Sequence, residues 1–598
     1  MCGIVGKYNY GKGEPIDRDL AGSMLRSIKH RGPDDEGYYL NEANSLFLGN
    51  RRLSIIDLST GHQPISNEDN TIWIVYNGEL YNFPELRKEL ISLGHKFKTN
   101  SDTEVVLHAY EEWEKDSFSK LNGMYAFALW DNKNSELILA RDPFGIKPLY
   151  YFDNGSTLLF GSEIKPILIN PEVNREVDIP ALYNFLTFTY VPSPKTVFKN
   201  IYKLIPGHYL ILKNGMQSIR RFYYNIPSTE KFKDEHEIIE ELQGKIYNAV
   251  KRQMISDVPI GVMLSGGVDS STVATIMSTI SNSPIRTFTV GFSDNFKFNE
   301  LEDARFIAER IGSEHRSLVV NSEDYNDLLP FSVWHMEEPV ATGSILAYYL
   351  ICRLASKEVK VVLTGQGADE PFAGYPRHLG EYYGKYYRAI PKLFRSTIIH
   401  PLVKSLKRNE RLKRAEASLQ EEDPVRRFLY IYKTLHPEIT DKLFKTDENG
   451  WEGITSEAIK LWQKDVEGLD PLNQILYADS RLSLPDNLLM YGDKMAMAVS
   501  LEARVPFLDL ELMQLVESIP AKFKIRGFTQ KYLLKKAVSK WIPDEVIRRK
   551  KIGFATPLDD WFQNELNGEI KDQVLANGSA CREFLNGEII QKMICKLQ

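Results

Sequence analysis

Val258-Pro259-Ile260-Gly261-Val262-Met263-Leu264-Ser265-Gly266-Gly267-Val268-Asp269-Ser270-Ser271 is the stretch that decides the fold of the larger part of this chain. The apolar run up to Leu264 suits a buried strand, and Asp269 to Ile280 reads as a helix beginning on polar caps. A tight Ser-Gly-Gly turn joins them. Glycines let backbone N–H groups point inward as an anion nest, and a helix N-terminus adds a favourable dipole, so phosphate oxygens are the natural occupant. Asp269 would repel a phosphate unless Mg²⁺ bridges the two, so a metal follows from the charge argument. Taken alone, the same dipeptide also fits a generic strand-to-helix turn.

Working outward, Thr287-Phe288-Thr289-Val290-Gly291-Phe292 reads as a second strand. A third is Val361-Val362-Leu363, running into the glycine-rich acidic loop Thr364-Gly365-Gln366-Gly367-Ala368-Asp369-Glu370. Helices at roughly Leu301 to Ile311 and Ser344 to Ser356 alternate with these strands. That alternation predicts a parallel, doubly wound sheet with its ligands beyond the carboxyl ends of the strands, where both loops meet. Residues 380 to 520 are rich in helix formers and charges, their aromatics fit a core, and basic Lys404 to Arg414 fits a solvated helix.

At the other end the chain opens Met1-Cys2-Gly3-Ile4-Val5-Gly6. Removal of Met1 would give Cys2 both a thiol and a free α-amine. With reference pKa values of about 8.5 and about 7.7–8, the amine can serve as the base that activates the sulfur. Downstream come Arg31-Gly32-Pro33-Asp34, Arg52-Leu53-Ser54-Ile55-Ile56-Asp57, Tyr76-Asn77-Gly78-Glu79-Leu80-Tyr81-Asn82, Ser101-Asp102-Thr103-Glu104 and Ala140-Arg141-Asp142-Pro143-Phe144-Gly145. Read separately, Asn77-Gly78 fits a type I′ hairpin turn, and Arg52 and Asp102 fit surface charges.

In this order the five segments make residues 1 to about 210 resemble the N-terminal-nucleophile glutamine amidotransferase domain. The Ser265 turn and the Asp369 loop resemble the ATP pyrophosphatase domain of the glutamine-hydrolysing asparagine synthetase family. Gln530-Lys531-Tyr532, Leu484-Pro485-Asp486, Asp493-Lys494-Met495 and Ser500-Leu501-Glu502-Ala503-Arg504 continue that pattern. The fold implied is an α+β N-terminal-nucleophile sandwich, followed by an α/β doubly wound ATP pyrophosphatase domain with a large helical part.

The resemblance implies that Cys2 attacks the glutamine side-chain amide, with Asn77 and the Gly78 N–H stabilising the oxyanion. Arg52 and Asp102 would hold the glutamine's α-carboxylate and α-amine, with Ile55, Ile56 and Glu79 beside them. In the second site Ser265, Gly266, Gly267 and Ser270 would grip phosphates, and Leu264, Val290, Thr364 and Gly365 would border the adenosine. Asp269 and Asp369 would ligate Mg²⁺ with pyrophosphate, and Lys531 would neutralise charge as pyrophosphate leaves. Glu502 and Arg504 are expected to form a structural ion pair, and Arg549-Lys550-Lys551 can be read as a solvated face.

Three positions depart from the family pattern. Asn50 stands where a histidine is common, Gln366 where a glutamate is usual, and Thr342 where an aspartate is general. Glutamine cannot accept a proton at neutral pH, so a base role at Gln366 is lost or shifted, with Glu370 the nearest alternative.

The expected function is glutamine-dependent asparagine synthesis from aspartate through an acyl-AMP, using ATP and Mg²⁺. The alternatives are amidation of another carboxylate, such as a sugar uronate or secondary metabolite, and a decayed synthetase acting as a glutaminase or binding module. At 598 residues with 43% hydrophobic residues, at least two domains are expected, drawn at 1–215 and 235–598 with a linker from Tyr223 to Lys233. A balance of 74 basic against 80 acidic residues, with no single-signed tail, excludes a nucleic-acid partner. Four scattered cysteines, no signal-like opening and no apolar stretch of about 18–20 residues point to a cytoplasmic enzyme without a membrane partner. A homodimer is expected by analogy alone.

Overall fold

The computed structural model describes residues 2–11, 13–225, 234–293, 296, 299–406, 410–435, 437–445, 451–551, 553, 556–558, 561, 567–576 and 578–595. Most of the Tyr223 to Lys233 linker lies outside the described residues, as do Ile552 and Phe554. The first part is built from β1 (Cys2–Asn9), β2 (Asp35–Leu40), β3 (Leu46–Arg52), β4 (Ile65–Ser66), β5 (Ile72–Leu80) and β6 (Gly123–Asp131). It continues with β7 (Glu136–Arg141), β8 (Tyr150–Asp153), β9 (Thr157–Gly161), β10 (Ile201–Lys203), β11 (His208–Lys213) and β12 (Met216–Arg221).

These strands form two antiparallel sheets, ordered β10-β8-β9-β1-β3-β2 and β12-β11-β7-β6-β5-β4. Side-chain alternation along a strand sends successive residues to opposite faces. Ile4, Leu46, Leu48 and Phe160 of one sheet therefore meet Val75, Ala126, Leu139 and Leu210 of the other in a shared apolar layer. On the outer face of the second sheet Tyr76, Tyr125 and Phe127 pack under the helices Phe83–Ser92 and Asp102–Trp113. The outer face of the first is covered by Ala21, Met24 and Leu25 of Arg18–Ser27.

One turn assignment changes. Asn77-Gly78 lies inside β5 and pairs with Ala126 and Tyr125 of β6, so it is not a hairpin turn. Pro206-Gly207 leads into β11, and the last hairpin closes at Asn214-Gly215, with φ of 52° and 73°. Both residues there adopt the left-handed backbone that a type I′ turn requires.

The second part holds a five-stranded sheet of β13 (Ile260–Met263), β14 (Arg286–Phe292), β15 (Glu314–Val320), β16 (Val361–Leu363) and β17 (Glu502–Arg504). All its neighbours run parallel, in the order β15-β14-β13-β16-β17. The chain moves outward from β13 through β14 to β15, then reverses to β16 and β17. Ligand crevices open at such a reversal, which here lies between β13 and β16. The expected helices are present at Val268–Ile280, Leu301–Arg310 and Ser344–Ala355, a further helix spans Glu235–Gln253, and residues 380 to 520 are largely helical.

No apolar boundary separates the two parts. One core joins Leu53, Ile55, Tyr81 and Phe144 to Ile246, Val262, Leu508 and Leu534. Buried charges cross the same seam. Arg31 sits between Glu163 at 3.1 Å and Asp493 at 2.8 Å, and Lys165 reaches Glu337 at 3.0 Å. Arg504 donates Nε to Glu502 at 2.5 Å and Nη1 to the carbonyls of Gln253 and Ile255 at 2.8 and 2.6 Å, and its Nη2 lies 3.5 Å from Glu79. The expected Glu502–Arg504 pair is thus present, and it also reaches β5 of the first part. Removing one partner of a buried pair strands the other charge, at about 3–5 kcal/mol. Arg504→Met is expected to lower the urea midpoint of the purified chain by a corresponding amount; an unchanged midpoint would show that the seam does not depend on this residue.

Candidate active sites

Cys2 opens β1 opposite Arg52, the last residue of β3, and is 5% exposed. Its backbone nitrogen donates to Asn77 Oδ1 at 3.1 Å, while Asn77 Nδ2 reaches Ser162 Oγ at 3.4 Å. The β5 backbone thus brings Asn77 to the start of β1. Gly78 is needed for close packing: a Cβ there would lie 2.2 Å from the Met124 carbonyl oxygen. Burial pushes the Cys2 thiol up, while the Leu53 amide and the Arg52 charge pull against it. A buried thiol of this kind depends on a local base for activation.

Arg52 and Asp102 are buried at 6% and 5% exposure, not surface charges. Arg52 Nη2 donates to the Ile56 and Asp57 carbonyls at 3.0 and 2.6 Å, which shapes the loop carrying Ile55 and Ile56. Asp57 in turn accepts from the Asn100 amide at 2.8 Å, tying that loop to the segment just before Asp102. Asp102 accepts from the Leu80 amide at 2.9 Å. Its carboxyl is raised to about 6 by burial, against the pull of that amide. Burial and the nearby Glu502 charge push Glu79 well above the usual carboxylate range, against Arg504.

Gln63 was not singled out in the sequence. Its Nε2 lies 4.0 Å from Cys2 Sγ and donates to Thr103 Oγ1 at 3.3 Å. Its Oε1 accepts from Asn50 Nδ2 at 3.1 Å and from the Tyr76 amide at 2.7 Å. Asn50, the residue in place of a histidine, therefore positions the side chain that faces the thiol. No local sequence pattern marks Gln63, because its partners come from β3, β5 and the helix Asp102–Trp113.

In the second part, Gly266 has φ +72° and lets the turn pass so close to Asp303 that a Cβ would lie 2.4 Å from its backbone. The helix Val268–Ile280 starts from Gly267 with no side-chain cap, in contrast to the polar caps read from the sequence. An uncapped first turn leaves N–H groups for an anion. Ser265 Oγ and Ser270 Oγ lie 2.9 Å apart across the turn. Gly365 brings β16's loop against the same turn, where a Cβ would sit 2.6 Å from the Ser270 nitrogen. Leu264, Val290 and Thr364 are buried at 2%, 3% and 2% exposure.

Lys531 lies between the two acidic residues, 2.6 Å from Asp269 and 2.6 Å from Asp369. Lys531 is buried at 5% exposure, and the side chains of Asp269 and Asp369 are 20% and 19% exposed. Lys551 also pairs with Asp369, so this member of the Arg549-Lys550-Lys551 run belongs to the site and not to a solvated face. Burial opposes the charge on Asp369, yet Lys531 and Lys551 hold it well below the usual carboxylate range. Asp269 is raised by burial and by Asp369 despite Lys531. Asp269 Oδ1 is buried without a hydrogen-bond donor. Two hard carboxylates, one with an orphaned oxygen, fit Mg²⁺.

Glu370 follows Asp369 and accepts from the Tyr375 hydroxyl at 2.7 Å. Burial and the Asp369 charge raise it to about 7, against that hydrogen bond. Gln366 lies over Gly492, close enough that a Cβ there would be 3.3 Å from its Oε1 and 3.8 Å from Tyr348 Oη. Thr342 accepts from the Ser344 amide at 3.4 Å, at the start of the helix Ser344–Ala355.

Asn50 supplies two of the donors in the Cys2 neighbourhood, to Gln63 and to the Tyr76 carbonyl at 3.3 Å. Leaving buried acceptors unpaired costs about 1–3 kcal/mol. Asn50→Ala is expected to lower stability by that amount in urea denaturation and to slow alkylation-sensitive glutamine hydrolysis; full retention of both would remove Asn50 and Gln63 from this account.

Residues 241–598 match the asparagine synthase family and residues 1–223 match a glutamine amidotransferase domain. The chain is 35% identical over 579 residues to asparagine synthetase [glutamine-hydrolyzing] 1 of Bacillus subtilis, covering 96% of this chain and 89% of that protein. It is 33% identical to asparagine synthetase [glutamine-hydrolyzing] 3 of the same organism, covering 92% and 86%. It is also 29% identical to the amidase chyE of Penicillium rubens, covering 96% and 90%. With both domain families in order along one polypeptide, this chain belongs to the glutamine-hydrolysing asparagine synthetase family of amidotransferase ligases.

Proposed function

We propose that this enzyme transfers the amide nitrogen of glutamine to the side-chain carboxylate of aspartate, consuming ATP and giving asparagine, glutamate, AMP and pyrophosphate. The observation that carries the reading is the Asp269–Lys531–Asp369 cluster facing the uncapped helix of the Ser265 turn, on the same chain as a buried N-terminal thiol. We assign glutamine hydrolysis to the sandwich drawn at 1–215, with the β12 hairpin strand continuing it to Arg221, and ligation to residues 235–598. A homodimer is part of the proposal by family analogy.

At the first site the Cys2 thiol attacks the glutamine carbonyl carbon, and the α-amine exposed by loss of Met1 takes the thiol proton. Asn77 Oδ1 holds that nitrogen in place. Asn77 Nδ2 and the Gly78 N–H face the developing oxyanion. Arg52 and Asp102 bind the two charged ends of glutamine, beside Ile55, Ile56 and Glu79. Collapse of the tetrahedral adduct expels ammonia, and water then releases glutamate from the thioester.

At the second site Ser265, Gly266, Gly267 and Ser270 hold phosphate oxygens, while Thr364 and Gly365 border the nucleoside. Leu264 and Val290 are core residues, so their part there is played by the main chain. Aspartate's carboxylate attacks the α-phosphorus, and pyrophosphate departs toward Lys531. Asp269 and Asp369 would hold Mg²⁺, which neutralises charge on the pyrophosphate when bound. Ammonia then attacks the acyl-AMP carbonyl and AMP leaves. Glu370, raised to about 7, is suited to take the proton that a glutamate at Gln366 would otherwise receive.

One observation favours a second reading. Gln366 and Thr342 replace two family carboxylates at this site alone, as expected if the acceptor is a carboxylate other than aspartate. Pyrophosphate release from ATP, Mg²⁺ and glutamine should be compared with aspartate and with a panel of uronates and other acids. Aspartate-dependent release with asparagine formed is the expected result. Release with another acid alone selects the second reading, and release with none supports a decayed synthetase.

The pH profile gives an independent check of the glutamine site. Asp102 must be ionised to hold an ammonium, and its carboxyl is raised to about 6 by burial. Below that pH the proton stays on and binding is lost, so kcat/KM for glutamine should rise through about pH 6. Asp102→Asn should lower kcat/KM and abolish that limb; an unchanged limb would assign it to another group.

A further inference from the structure

Away from both sites, the turn between β4 and β5, the segment leading to Asp102 and the helix Asp102–Trp113 bring Glu68, His95, His108 and Glu111 together. One ligand atom from each lies within 4.8 Å of the others, the one such group found among the described residues. His108 Nδ1 is 3.1 Å from Glu111 Oε2 and 3.8 Å from Glu68 Oε2, and His95 Nδ1 is 3.6 Å from Glu111 Oε2. A tetrahedral ion with bonds of about 2.0–2.2 Å separates its ligands by roughly 3.3–3.6 Å, so small side-chain adjustments suffice.

Three of the four groups are also tied at their other atom. Glu111 Oε1 accepts from Asn67 Nδ2 at 3.0 Å, and Glu68 Oε1 from the Lys96 amide at 3.0 Å, which leaves each Oε2 facing inward. His95 Nε2 lies 3.1 Å from Glu112, and the fully buried His108 Nε2 lies 3.6 Å from Glu104. Glu104 is itself fixed by the Lys98 and Thr99 amides, both at 2.7 Å. Histidines that bind metals donate their outer ring nitrogen to a carboxylate, as His95 is placed to do toward Glu112, which fixes the tautomer and raises ligand basicity.

We propose that Glu68, His95, His108 and Glu111 form a structural site for a divalent transition-metal ion of the Zn²⁺ class. Two imidazoles with two carboxylates match that class and not Mg²⁺ or Ca²⁺, which take oxygen ligands. The ion would clamp the β4–β5 turn and the 95–104 segment onto the helix whose first turn presents Asp102. It is therefore a positioning element for the glutamine pocket, and it takes no part in bond making.

The test uses Zn²⁺ itself and the full-length, untagged, metal-stripped chain carrying Cys2→Ala, with excess Mg²⁺ present, so that neither the thiol nor Asp269 and Asp369 contribute. Calorimetry and native mass spectrometry should show one Zn²⁺ per chain and a raised melting temperature. His95→Ala and Glu111→Gln, each checked for native circular dichroism, should abolish that stoichiometric binding. Glu112→Gln, which alters an outer partner, should weaken binding about 10–100-fold. Glu68→Gln, on an exposed turn, serves as a further ligand variant if His95→Ala does not fold. Absence of 1:1 binding in the parent chain, or equal affinity in the ligand variants, overturns the site.

Discussion

Arg504 is the constraint on which the two halves of this molecule depend. Its guanidinium is fully buried, and five donors in a fixed plane must find acceptors where water cannot supply them. Nε finds Glu502 on its own strand and Nη1 the carbonyls of Gln253 and Ile255 at the end of a helix of the second part, while Nη2 makes only an ion-pair approach to Glu79 at the end of β5. Because β5 also carries Asn77 and Gly78, the same residue that closes the parallel sheet fixes the strand that frames Cys2. The amide of Thr364, at the start of the acidic loop, donates to the Arg504 carbonyl at 2.9 Å, so the second site hangs on this position too.

The two sites use charge in opposite ways. Around Cys2, the buried carboxyls Asp102 and Glu79, both with raised pKa, sit with the Arg52 charge and the neutral side-chain amides of Asn77 and Gln63. Around Asp269 and Asp369, paired carboxylates are balanced by Lys531 and Lys551. That balance matches the arrival and departure of a polyanion: phosphates can take the place of the carboxylates at the lysines, and the freed carboxylates would then hold Mg²⁺.

Much of this was legible in the sequence, for identifiable reasons. The strand–glycine turn–helix at Val258 to Ser271 and the loop ending in Asp369 are local patterns, and period-2 and period-3.6 alternation exposes them directly. Asn-Gly dipeptides were legible only in part. Asn214-Gly215 makes a type I′ turn, whereas Asn77-Gly78 sits mid-strand because β6 packs so closely that no side chain fits at Gly78. Gln63 and Lys551 act through partners far along the chain, and the pairing of His95 with His108 depends on a loop folding back onto a helix. No window of sequence contains those contacts.

The proposed reaction requires that nitrogen released at Cys2 reach an acyl group formed beyond β13 and β16. Glutamine labelled with ¹⁵N at its amide, given with aspartate, ATP and Mg²⁺ in the presence of unlabelled ammonium, reads this directly by mass spectrometry of the product. Asparagine carrying the label in its amide, above the fraction expected from mixing with the ammonium pool, is the predicted result. Labelled ammonia accumulating in solution while asparagine stays unlabelled, or is not formed, would contradict it.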